Sequence, residues 1–105
     1  SGGGIDLSYQ PFVTTASINV TAVNRTYVVF SGSTALTATL GPIAPGRLVN
    51  IKRHWNMFFD VEIETAGGNQ IDGATSLTLT NAGESVTLLN LTETTASIAS
   101  HWHIF

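Results

Sequence analysis

Apolar and polar residues alternate along most of this chain with a period of two. Ile18-Asn19-Val20-Thr21-Ala22 and Ala35-Leu36-Thr37-Ala38-Thr39-Leu40 alternate, and Tyr27-Val28-Val29-Phe30 is a short apolar run. Successive side chains of a strand project to opposite faces, so this period marks strands with one buried face. Further strands are predicted over Leu48–Arg53, Phe58–Thr65, Leu77–Thr80, Ser85–Leu89 and Ala96–Phe105. No stretch keeps apolar positions at i, i+3, i+4 and i+7, so no significant helix is expected.

The breaks between these segments carry turn chemistry. Gly41-Pro42-Ile43-Ala44-Pro45-Gly46, Ala66-Gly67-Gly68-Asn69 and Asp72-Gly73 punctuate the chain, because proline fixes φ and glycine permits positive φ. Asn81-Ala82-Gly83-Glu84 reads as a four-residue hairpin connection. Short strands at this spacing predict an all-β fold, a compact antiparallel β-sandwich or jelly-roll-like barrel of about 8 strands. The threonines fit, since β-branched side chains suit a pleated surface. The segments Ile18 to Phe30 and Leu77 to Leu89 echo each other as strand-turn-strand units.

With 105 residues the chain supports one core rather than two. Residues 1–4, Ser-Gly-Gly-Gly, read as a flexible lead-in or an appended remnant, and residues 5–105 as a single β domain. A start at Ser1 rather than methionine is what a fragment or a processed product shows.

Composition narrows the function. Only 10% of residues are charged, against about 25% in ordinary soluble domains. Little charge then repels a neighbouring copy, which favours a homo-oligomer. The net charge is -3, and Arg47, Lys52 and Arg53 are the only basic cluster, which argues against a nucleic-acid groove. No apolar run reaches the length of a membrane span, so membrane insertion is not expected. There is no cysteine, hence no disulfide.

Nor does catalytic chemistry stand out. Asp60, Glu62 and Glu64 share one strand face, and neighbours there sit about 6–7 Å apart by the strand rise, a spacing that paired glycosidase carboxylates use. The simpler reading is a solvated face opposite inward Phe59, Val61 and Ile63. There is no Gly-x-Ser-x-Gly elbow and no Ser, His and Asp grouping. The chain reads as a non-enzyme with no cofactor.

Two aromatic clusters remain. His54-Trp55-Asn56-Met57-Phe58 is costly to expose, and surfaces use such patches for binding. Trp55 beside Asn56 offers a flat apolar face with hydrogen-bonding groups, as a host-surface glycan requires, with His54 and Phe58 beside them. The competing reading is packing: Val49, Ile51, Arg53 and Trp55 lie on one strand face, so Trp55 would close the core, and Phe58 would meet a second protomer. At the C-terminus, strand parity points Trp102 and Ile104 inward, and His101 and His103 outward or toward a neighbouring chain. Two imidazoles are half of a transition-metal site, and a three-fold axis would supply six. The triplets at Asn19, Asn24 and Asn90 match the N-glycosylation acceptor, as chance gives in a threonine-rich chain.

Several phrases occur in a telling order: Thr37-Ala38-Thr39-Leu40-Gly41-Pro42, Pro45-Gly46-Arg47, Ile51-Lys52-Arg53, Ile71-Asp72-Gly73, Ala82-Gly83-Glu84-Ser85-Val86-Thr87-Leu88, then Trp102-His103-Ile104-Phe105. Over residues 18–105 this resembles the small C-terminal β modules of bacteriophage tail fibres, tailspikes and related virion-surface proteins. The resemblance implies a non-enzymatic virion component, a homotrimer that serves in host attachment by receptor binding or as a structural part among other virion proteins. His101 and His103 resemble the His-x-His motifs at the iron-binding tips of some phage fibres. The chain departs from the pattern at His54 to Phe59, where such modules carry small polar residues, and at His103. A capsid decoration protein and a carbohydrate-binding module of a larger protein are the alternatives.

Overall fold

The computed structural model describes residues 10–41, 46–67, 69–92 and 100–105. The predicted lead-in 1–4, the domain start at residue 5, the acids Asp6 and Glu93, Pro42, Pro45 and the first part of the last predicted strand lie outside the described residues.

Among the described residues nine strands are present: β1 (Phe12–Thr14), β2 (Ile18–Asn19), β3 (Tyr27–Phe30), β4 (Leu36–Leu40), β5 (Leu48–Arg53), β6 (Val61–Thr65), β7 (Ser76–Leu79), β8 (Ser85–Thr92) and β9 (Ser100–Ile104). They form two sheets, ordered β1-β3-β5-β8-β9 and β2-β4-β6-β7. The expected all-β, sandwich-like architecture is therefore the one observed. Among the described residues the sole helical piece is a 3-10 turn at Val20–Ala22. It shortens the strand expected over 18–22, because the Asn19 side chain accepts a hydrogen bond from the Thr21 backbone N–H at 3.0 Å. A local side-chain acceptor of this kind draws the backbone out of the ladder.

Pairing differs from the antiparallel expectation in the first half. β1 with β3, β3 with β5, β2 with β4 and β4 with β6 are parallel. The reason is connectivity. From β1 to β6 every connection crosses from one sheet to the other, so the chain returns to each sheet running in its earlier direction. This winding of stacked turns is the logic of a β-solenoid. The second half reverses: β6 with β7, β5 with β8 and β8 with β9 are antiparallel.

The turn at Asn81–Glu84 is correspondingly not a hairpin. It closes with Glu84 N–H donating to Asn81 O at 3.1 Å, but β7 and β8 belong to different sheets. The echoing segment Ile18 to Phe30 also crosses between sheets, from β2 to β3. Both are arches, which local sequence cannot distinguish from hairpins because the tight turn is common to the two.

The core lies between the sheets. Alternation places Ala38 and Leu40 on β4, Val49 and Ile51 on β5, and Val61 and Ile63 on β6 in one cluster with Phe30, Leu88 and Trp102. Each such side chain contributes about 1.5–3 kcal/mol on burial. The outward faces differ in character. The second sheet shows Thr37 and Thr39 beside Glu62 and Glu64. On the first sheet Leu48 pairs with Leu89, Leu89 with His103 and Leu91 with His101.

One glycine is dictated by packing. A Cβ on Gly41 would stand 2.8 Å from Thr21 Oγ1, the same oxygen that accepts the Gly41 N–H at 3.0 Å.

Candidate functional site

The segment 54–60 links β5 to β6 at one end of the sandwich. His54 N–H donates to Phe30 O at 2.9 Å, which continues the β5–β3 ladder one residue past the strand. Met57 N–H then donates to His54 O at 3.1 Å, closing a four-residue turn. Inside that turn Asn56 N–H donates to His54 Nδ1 at 3.0 Å, so Nδ1 is the unprotonated ring nitrogen. The His54 and Trp55 rings lie 5.5 Å apart, tilted by 30°.

This turn settles which residues face inward. Parity along β5 carries Arg53 into the interior, where it is 6% exposed, but the turn ends the alternation there. Trp55, expected on one reading to close the core, is 68% exposed, and Met57 fills the interior at 1%. Phe58 is 83% exposed and lies in the loop, not on a strand. Phe59, expected inward, is 43% exposed, because β6 begins only at Val61.

Arg53 is the anchor beneath the loop, and sequence reading missed its role. Its Nη2 donates to Met57 O at 2.7 Å, and its Nε and Nη1 are buried without a hydrogen-bond partner among the described residues. Burying a guanidinium is expensive, and the loop carbonyl it holds, together with the attraction of the Glu84 carboxylate, offsets that cost. The available signal was the unbroken alternation Val49, Ile51, Arg53, together with the lone methionine in an aromatic run.

The C-terminal histidines have a different task. Parity is as expected for Trp102, fully buried, while Ile104 is 43% exposed at the strand's end. The segment 70–72 lies along the outer edge of β9: Trp102 N–H donates to Gln70 O at 2.8 Å, and Asp72 N–H to Trp102 O at 3.0 Å. His101 Nδ1 accepts the Gln70 N–H at 3.0 Å, and His103 Nδ1 stands 3.2 Å from Asp72 Oδ1. Each histidine thus has one ring nitrogen engaged in fastening this edge. Among the described residues no three His, Cys, Asp or Glu side chains gather as a metal site.

Asp72, also missed as a functional residue, sits in a turn made for it. Ile71 and Ala74 exchange both backbone hydrogen bonds, at 2.6 and 2.9 Å. Asp72 and Gly73 between them have φ of 46° and 86°, the positive pair that a type I′ turn needs and that Asp-Gly supplies most readily.

Comparison with protein-family models, with curated proteins and with solved structures finds no match in any of the three. The likeness to phage tail modules accordingly stands on the sequence phrases alone.

The remaining candidates separate cleanly. Asp60, Glu62 and Glu64 are all exposed, as a solvated outer face requires. Of the glycosylation triplets, Asn90 is buried at 0% exposure, and the Asn19 side chain is engaged by Thr21, whose hydroxyl donates to Asn19 Oδ1 at 2.6 Å.

Proposed function

We propose that this is a non-enzymatic attachment domain of a virion surface, a bacteriophage tail fibre or tailspike module that meets its receptor through the loop 54–58. The observation that carries this reading is the exposure of Trp55 and Phe58, at 68% and 83%, on a loop clamped from below by Arg53 and Met57. Binding hot spots are typically aromatic residues held rigidly, since little rotamer freedom is then lost on contact. A Trp55 ring next to the Asn56 amide matches a sugar's apolar face and its hydroxyls, so a host-surface glycan is the expected receptor. Three copies acting together would raise avidity through effective concentration.

The test is a glycan array of bacterial surface polysaccharides probed with wild type and with Trp55→Ala and Phe58→Ala, folding being checked by circular dichroism. Loss of a central aromatic contact should weaken binding by roughly 30-fold, the equivalent of about 2 kcal/mol. Wild-type binding by both variants would remove the loop from the reading.

A second reading draws support from the outward face of the first sheet. Leu48, Leu89 and Leu91 there suit contact with protein, as in a capsid decoration role or between copies of the chain. Its signature is a particle that loses stability without the protein, with no glycan bound. Light scattering at micromolar concentration reports the copy number, and a clean monomer would end the avidity mechanism.

A further inference from the structure

At the opposite end of the sandwich from the aromatic loop, where β3 and β5 begin, a cleft of about 260 Å³ opens between Asn24–Tyr27 and Gly46–Leu48. We infer that this cleft binds an acidic monosaccharide unit, held through its carboxylate by Arg25 and Arg47.

The first ground is charge. The chain has four Lys and Arg in all and a net charge of -3, yet two of those four line this one cleft. Among the described residues neither forms an ion pair, the one such pair being His103 with Asp72. Two guanidiniums sharing a cleft repel each other, and an anion between them removes that cost. Two are far too few for a nucleic-acid groove, which needs a run of phosphate contacts.

Geometry is the second ground. Arg47 Nη2 donates to Val23 O at 2.7 Å and to Arg25 O at 3.0 Å. Its guanidinium plane is thereby fixed before any ligand arrives. Arg25 Nη1 donates to Asn24 O at 3.1 Å. A guanidinium has five N–H donors, so each keeps several for a carboxylate, which its planar fork matches.

Size and lining select the rest of the ligand. The volume lies just below the roughly 300–1,000 Å³ of drug-sized pockets, and well above the roughly 30 Å³ that one water occupies. It therefore has room for a sugar ring and not merely for a bare anion. Tyr27 and Leu48, each 42% exposed, supply an apolar wall, and Asn24 an amide for hydroxyls.

The test is a titration of the full chain with glucuronate, galacturonate and N-acetylneuraminate, followed by backbone amide shifts, with glucose, acetate and inorganic phosphate as controls. At least one acidic sugar should move the amides of residues 24–27 and 46–48 and bind about tenfold or more tighter than every control. Arg25→Gln should weaken it by about tenfold or more, while Trp55→Ala leaves it unchanged, which keeps this outcome separate from that of the loop. If Arg25→Gln does not fold, Tyr27→Ala and a wild-type titration in high salt serve instead, and both should weaken binding. Acetate or phosphate matching the acidic sugars would overturn the inference in favour of an adventitious ion only. Glucose matching them, or Arg25→Gln binding like wild type, would overturn the role of the carboxylate.

Discussion

Asp72 holds the C-terminal strand through two oxygens: Oδ1 stands 3.2 Å from His103 Nδ1, and Oδ2 accepts the Ile104 N–H at 3.1 Å. A turn residue thereby fastens the edge strand of a sheet, and with Gln70 it occupies the outer N–H and C=O of Trp102 and the N–H of Ile104. Asp72→Ala removes both acceptors and places a Cβ residue with no compensating side chain at φ 46°. It should cost about 1–3 kcal/mol, at 0.5–1.5 kcal/mol for a hydrogen bond plus the strain of the left-handed region. Urea denaturation measures the loss, and Ile104 amide exchange should accelerate more than that of Leu88. Asp72→Asn, which tolerates positive φ and keeps one oxygen, should retain a good part of it. Equal stability of wild type and Asp72→Ala would show that the fastening contributes nothing.

Arg53 invites the opposite kind of test. Burying a charge is costly, and an apolar side chain of similar length removes that cost while giving up the bond to Met57 O and the attraction to Glu84. Arg53→Met should therefore leave the thermal midpoint within a few degrees of wild type, roughly 1 kcal/mol for a domain of this size. The clamp on Met57 O would be gone, so heteronuclear NOE values for Trp55 and Asn56 should fall and any glycan affinity should drop with them. A rigid loop in Arg53→Met would assign the positioning to Met57 and His54 alone.

Period-two alternation made the strands legible, and β5 was read to the residue at Leu48–Arg53. The pairing was not legible, because neither parallel stacking nor an arch leaves a local mark: Leu77–Leu79 and Val86–Leu88 alternate alike whether they pair with each other or with other strands. At the candidate site, the aromatic run was visible and its orientation was not. Whether Trp55 or Met57 faces inward depends on where the turn interrupts alternation, and that is decided by His54 bonding to Phe30 and Met57. Asp72 was visible only as half of a turn signal, since its partners Ile104 and His103 lie thirty-odd residues away.

Glu84 gives the fold an acid-sensitive arch. Its Oε1 accepts from Asn81 N–H at 3.0 Å and from Thr80 N–H at 2.9 Å. Those backbone bonds, Asn81 first and then Thr80, hold its carboxyl below the ordinary 4.5, against a smaller opposing effect of desolvation. A depressed carboxylate favours the folded state fully above its unfolded value and loses that contribution as pH falls through the folded one. The difference in urea midpoint between wild type and Glu84→Gln should therefore be constant well above the ordinary 4.5 and shrink as pH falls below it. A gap that widens on acidification would reverse the sign and dismiss Glu84 as the source.

Asn90 is the residue whose chemistry is least at ease with its position. It is 0% exposed, it sits on β8 opposite Trp102 of β9, and among the described residues neither its amide nitrogen nor its amide oxygen has a partner. Both of its backbone groups already bond to the segment leading into β5, N–H to Arg47 O at 2.9 Å and O from Gly46 N–H at 2.7 Å, and any side chain preserves those contacts. Burying an unpaired amide costs about 1–3 kcal/mol, and valine suits a buried strand position better. Asn90→Val should accordingly raise stability by about 1–2 kcal/mol. Thermal unfolding decides it: a higher midpoint identifies the amide as a liability carried within the core, and a lower one would mean that the amide is paired in solution.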